Sequence, residues 1–181
     1  DVYKRQALNL AAAYAQTGKK VLLIDGDLRK ASLSAFYGGK NTRGLVHLLM
    51  NPQASPDSVL QSGKRFPGFD LVTAGPVPPN PVALLTRGRL EELLRYWRAR
   101  YDRIILDGCP YEAVADASLM ARHADLVLYV IRCGMIEKQY VPAIQGLADK
   151  GEFRSGAIIL NAENFKNSRF HYYNEYSETD G

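Results

Sequence analysis

Residues 21–30 read VLLIDGDLRK. Four apolar residues run into Asp25, Gly26 separates that acid from Asp27, and Arg29 and Lys30 follow. A short apolar run closed by turn residues is the pattern of a strand buried on both faces. Carboxylates at the carboxyl end of such a strand are the hard oxygen donors that a magnesium–nucleotide site uses.

The flanking sequence supplies the rest of a domain. Residues 7–18, ALNLAAAYAQTG, read as an alanine-rich helix stopped by Gly18. Further apolar strands are expected at FDLV (69–72), RIILD (103–107), LVLYVI (126–131) and AIILN (157–161). AGPVPPNP (74–81) reads as a stiff turn. Residues 87–101 form an amphipathic helix with Leu90, Leu93, Leu94, Trp97 and Tyr101 on one face, and Glu91 and Arg95 able to pair outside. A short helix is expected over 116–123 and a longer one over 136–150.

Helices alternate with strands, and the strands are apolar throughout. That is the pattern of a doubly wound α/β domain, with a mostly parallel sheet flanked by helices on both faces. No internal repeat or second domain is visible. Beyond residue 161 the apolar periodicity stops, and the tail FKNSRFHYYNEYSETDG reads as polar, aromatic and mobile.

Composition narrows the function classes. The 181 residues are 46% hydrophobic and 23% charged with a net charge of +4, ordinary for a globular protein. No basic stripe marks a nucleic-acid surface, and no apolar run reaches the roughly 18 residues of a membrane span. The N-terminus lacks a signal-peptide pattern. Cys109 and Cys133 show no pairing pattern, which suits a reducing compartment. His47, His123 and His171 are scattered without metal-ligand spacing.

In open α/β sheets ligands bind at the carboxyl ends of the strands. Asp25 and Asp27, Asp107, and Asn161 all fall there. Acids at strand ends also cap helices or make turns. An apolar-Asp-x-Asp-x-Arg and an apolar-Asp in one chain favour a shared magnesium ion instead.

NLAAAYAQTGKKVLLIDGDLRK, GFDLVTAGPVPPNPVALL, YDRIILDGCP and VADASLMARHADLVLYVIRCG, with a tyrosine-rich end, resemble the cytoplasmic domain of bacterial tyrosine kinases across residues 7–181. LLIDGDLR resembles their Walker A′ motif. The resemblance implies a Min/Par-like P-loop NTPase fold. It also implies an ATP- and Mg2+-dependent tyrosine autokinase that regulates capsule and exopolysaccharide polymerisation and export. Asp25 would position or deprotonate the attacking tyrosine, and Asp27 and Asp107 would hold magnesium. Arg29 would place charge near the phosphates or shape its loop, and Asn161 would contact adenine. Tyr172, Tyr173 and Tyr176 would be the phospho-acceptors. Implied partners are a transmembrane chain-length or activator protein (or a fused membrane domain), further copies in a ring-like homo-oligomer, and a cognate tyrosine phosphatase, with no nucleic acid. The implied location is cytoplasmic, at the inner face of the cell membrane.

The chain departs from the family in three places. DGCPYEAV replaces the usual small hydroxyl residue and prolines, and PPNPVALL lacks the acid common after that proline pair. The phosphate-binding loop G-x-x-x-x-G-K-[ST], expected just before NLAAAYAQ, is missing. In its place stands DVYKRQ, the translation of GAT GTG TAT AAG AGA CAG, which matches a transposase end used in sequencing libraries. Residues 1–6 are therefore expected to be foreign adapter residues, 7–165 a truncated kinase domain, and 166–181 the tail. Without the first strand of the fold, its two neighbours should present raw edges. The chain as written should then be unstable, should bind ATP poorly and should be inactive. A Min/Par-type ATPase switch and a non-catalytic pseudokinase module are the alternatives.

Overall fold

The computed structural model describes residues 2–31, 33, 41–62, 68–109, 114–134, 142 and 155–161. The chain divides into two compact units, Asp1–Ala124 and Asp125–Gly181. Apart from residue 142, the helix expected over 136–150 lies outside the described residues, as does the tail with Tyr172, Tyr173 and Tyr176.

In the first unit, helix α1 spans Val2–Gln16. It begins five residues earlier than the alanine-rich stretch suggests, because residues 2–6 continue the same helix. It ends as expected: the Gly18 amide donates to the Ala15 carbonyl at 2.9 Å, and Gly18 takes φ +77°, which glycine adopts without a steric penalty. Strand β1, Val21–Asp25, follows and is buried along its whole length.

The sheet contains β2 (Gln61–Ser62), β3 (Phe69–Val72), β1 and β4 (Arg103–Asp107), in that order. β1 pairs in parallel with both neighbours, placing Val21 opposite Phe69 and Arg103, and Asp25 opposite Asp107. β2 adds to β3 antiparallel. The apolar run of β1 serves two cores. Leu22 and Ile24 pack with Leu45, Leu48, Val72 and Trp97 on one face. Val21 and Leu23 pack with Leu8, Ala11, Phe69 and Leu71 on the other. Both faces are therefore covered, as the uninterrupted hydrophobicity implied.

Three short elements were not legible beforehand. Besides β2, helix α2 (Leu45–Met50) hooks onto the end of β3 through its first amides: Leu45 donates to the Thr73 carbonyl at 2.8 Å and Val46 to that of Ala74 at 2.9 Å. Helix α3 (Pro81–Leu85) grows directly out of the proline-rich turn. The Asn80 side chain accepts from the Ala83 amide at 3.1 Å, and Pro81 occupies the first turn, where its missing N–H costs nothing. Helix α4, Arg89–Arg98, buries Leu90, Leu93, Leu94 and Trp97 and pairs Arg95 with Glu91 at 3.1 Å on its outer face. Tyr101, just beyond it, donates to Asp70 at 2.7 Å. Helix α5, Val114–Ala121, completes this unit.

In the second unit, β5 (Val127–Arg132) and β6 (Gly156–Asn161) form a parallel pair, from Val127 opposite Gly156 to Arg132 opposite Asn161. Among the described residues β4 is hydrogen-bonded to a strand on one side only, and β5 and β6 only to each other.

Candidate functional site

The strand register sets the site. Asp25 ends β1, Asp107 ends β4, and the two are direct neighbours across the ladder. The loop leaving β1 is pulled across the end of β4, where the Gly26 amide donates to the Asp107 carbonyl at 2.8 Å. A side chain at Gly26 would run into Met120 of α5 and crowd that carbonyl, so glycine lets the loop approach this closely.

The loop then folds around its own acids. Asp25 accepts from the Asp27 amide at 3.2 Å and from the Leu33 amide at 3.1 Å. One Asp27 oxygen accepts from the amides of Arg29 at 3.2 Å and Lys30 at 3.1 Å. These bonds satisfy two carboxylates that are almost wholly buried. They also leave one oxygen of Asp27 facing inward.

A cation occupies the centre of this group. Lys4, from the first turns of α1, is itself 6% exposed. Its Nζ lies 3.0 Å from Asp107 Oδ2, 3.5 Å from Asp25 Oδ1 and 3.5 Å from Asp27 Oδ2. Burial works against its charged form, but Asp107, Asp25 and Asp27 outweigh that and hold its pKa above the ordinary lysine value. Burial raises the carboxyl groups of Asp25 and Asp107, with Lys4 pulling both the other way. Three carboxylates facing one ammonium leave an excess of negative charge.

Arg29 does not point at these acids. Its guanidinium grips Asp116 of α5 with two hydrogen bonds, Nε to Oδ2 at 2.7 Å and Nη2 to Oδ1 at 3.1 Å. Of the two roles left open for Arg29, this geometry favours shaping the loop. Cys109, beside this pair, has its thiol pushed up to about 11, chiefly by burial and then by Asp116 and Asp27. It is therefore a poor nucleophile at neutral pH.

The structure thus brings together Asp25, Asp27 and Asp107. Asn161 lies in the second unit, at the end of β6, where its carbonyl accepts from the Cys133 amide at 2.8 Å. Two residues of the site were missed in the sequence. Asp116 lies within a motif already singled out, and its only signal was an acid on an otherwise apolar helix. Lys4 sits in the hexapeptide read as foreign. Among the described residues no group of three or more His, Cys, Asp or Glu side chains is spaced to hold a metal ion unaided. Carboxylate oxygens are the donor type that magnesium prefers.

Comparison with known proteins places the chain in a family. A family described as AAA domain matches residues 4–149. The tyrosine-protein kinase YwqD of Bacillus subtilis is 39% identical over 168 residues, covering 92% of this chain and 70% of that protein. A putative tyrosine-protein kinase in the cps region of Klebsiella pneumoniae is 41% identical over 124 residues, covering 68% of this chain and 17% of that much longer protein. The kinase domain of Escherichia coli tyrosine kinase ETK superposes with a TM-score of 0.76 at 33% identity, covering 87% of this chain and 63% of that domain. The septum site-determining protein MinD of Pyrococcus horikoshii, at 22% identity and a TM-score of 0.70, shares the fold alone. The chain belongs to the bacterial tyrosine-protein kinases, and it carries paired acids at the ends of β1 and β4.

Proposed function

We propose that the parent protein is an ATP-dependent tyrosine kinase that phosphorylates its own C-terminal tyrosines and thereby regulates capsule or exopolysaccharide polymerisation and export. The observation that carries this is the strand register that sets Asp25 opposite Asp107 at adjoining strand ends, with the loop bearing Asp27 bonded across the end of β4 through the Gly26 amide. Asp27 and Asp107 would hold magnesium, which supplies charge neutralisation on the ATP phosphates when bound. Asp25, raised by burial, is a stronger base than a free aspartate and would orient and accept the tyrosine proton. Arg29 keeps the loop in shape. Asn161 would contact adenine, and Tyr172, Tyr173 and Tyr176 would accept the phosphoryl group.

No G-x-x-x-x-G-K-[ST] occurs in these 181 residues. Without such a loop this chain by itself should be inactive. The kinase would act at the cytoplasmic face of the membrane, in rings of its own copies. A transmembrane activator, fused or separate, and a tyrosine phosphatase would complete the system. No helix among the described residues is long and apolar enough to cross a membrane.

The test is phosphotyrosine mapping on parent-length protein incubated with Mg-ATP. We expect phosphate on the tail tyrosines, and a loss of about 10²-fold or more in rate for Asp25→Asn. Equal phosphorylation with and without Asp25 overturns the autokinase. ATP hydrolysis without phosphotyrosine would identify a Min/Par-type switch instead, and neither activity a non-catalytic module.

A further inference from the structure

We propose that Asp116 is a positioning residue that sets the spacing of Asp27 and Asp107 by gripping Arg29. The proposal rests on the reading of those two acids as magnesium ligands. Asp107 and Asp116 belong to one stretch of chain, the end of β4 and the helix that follows it. Asp27 and Arg29 belong to another, the loop leaving β1.

The two stretches are joined twice. At one end the strand register and the bond from the Gly26 amide to the Asp107 carbonyl, 2.8 Å, hold them. At the other end the join is the two-pronged Arg29–Asp116 contact, 87 residues apart in sequence. Asp27 lies between the joins, and its Oδ1 is bonded to the amide of Arg29 itself. A shift of Arg29 is therefore carried to Asp27 through one hydrogen bond. Asp116 is 2% exposed and sits on a helix with no other charged residue, so its carboxylate is matched within the fold by this guanidinium. The planar fork of arginine fixes direction as well as charge.

The test compares wild-type parent-length protein with Asp116→Asn, Asp116→Glu and Arg29→Lys. The readouts are Mn2+ binding by electron paramagnetic resonance with ATP present, and phosphorylation rate against Mg2+ concentration. Losing an outer partner of a metal ligand typically weakens metal binding about 10–100-fold. We expect Asp116→Asn to weaken Mn2+ by about tenfold or more and to raise the Mg2+ needed for half-maximal rate in proportion. Saturating Mg2+ should restore most of the rate, and Asp116→Glu should lie near wild type. Unchanged Mn2+ affinity, or a rate that saturating Mg2+ does not restore, overturns the proposal. Should Asp116→Asn not fold, Arg29→Lys decides, because Arg29 is half exposed and its replacement keeps the charge: wild-type Mn2+ affinity there also overturns it. Weakened Mn2+ binding in a parent that makes no phosphotyrosine leaves the proposal standing and removes the kinase reading. A parent that binds no Mn2+ removes both.

Discussion

β1 and β6 are both short, apolar, parallel strands, yet they sit in opposite surroundings. In β1 Leu22, Leu23 and Ile24 are fully buried, with a strand on either side and helices on both faces. In β6 Ile158, Ile159 and Leu160 are 47%, 38% and 62% exposed, and β5 is its one strand partner among the described residues. The residues are interchangeable in character, so composition does not account for the contrast. A parallel strand draws its stability from covered faces and paired edges, and two strands alone supply little of either. The acids that end β1 and β4 are held by the well-packed sheet. Asn161 is held by the thin one.

The contrast is open to attack by mutation. The largest effect should come from Lys4→Met, which leaves three buried carboxylates without their cation. Breaking a buried pair on one side costs about 3–5 kcal/mol, so urea unfolding in EDTA should shift by that order, and Mn2+ should recover part of the loss. No shift would mean that the ammonium contributes nothing to the packed unit. Next comes Leu23→Ala on β1, expected to cost about 2–5 kcal/mol, set against Leu160→Ala on β6, expected to stay below about 1 kcal/mol. Similar losses at the two positions would break the comparison outright. The smallest effect concerns Cys109. With Cys133→Ser to isolate it, its alkylation at pH 8 should be much slower than that of a free thiol, because a pKa of about 11 leaves roughly a hundredfold less thiolate or lower. Alkylation at the rate of a free thiol would show that this corner of the unit is open to water.

β1 and β4 could be read from sequence because each carries an unbroken apolar run that ends in an acid, and β3 because Phe69, Leu71 and Val72 leave only Asp70 polar. Helix α4 was equally legible, since its leucines and Trp97 recur at helical spacing. The short elements were not. α2 is six residues long and lacks a side-chain cap. α3 is hidden because Asn80 and Pro81 signal a turn and a helix start alike. The ladder between β1 and β4 implies that Asp25 and Asp107 meet, but the grip of Arg29 on Asp116 spans 87 residues and leaves no local pattern. The exposure of β6 is equally silent, because an apolar run records a capacity for burial and not the cover it receives. Lys4 lies in the six residues read as foreign; α1 runs through them without a break and brings its ammonium to the acids.

The central claim is that Asp27 and Asp107 form the metal side of a phosphoryl-transfer site. Its most direct test is a Mn2+ titration of parent-length protein with ATP, comparing wild type with Asp27→Asn and Asp107→Asn. The account predicts one tightly held ion per chain in the wild type, and an affinity lower by about tenfold or more in each variant. Wild-type Mn2+ affinity in both variants would contradict it.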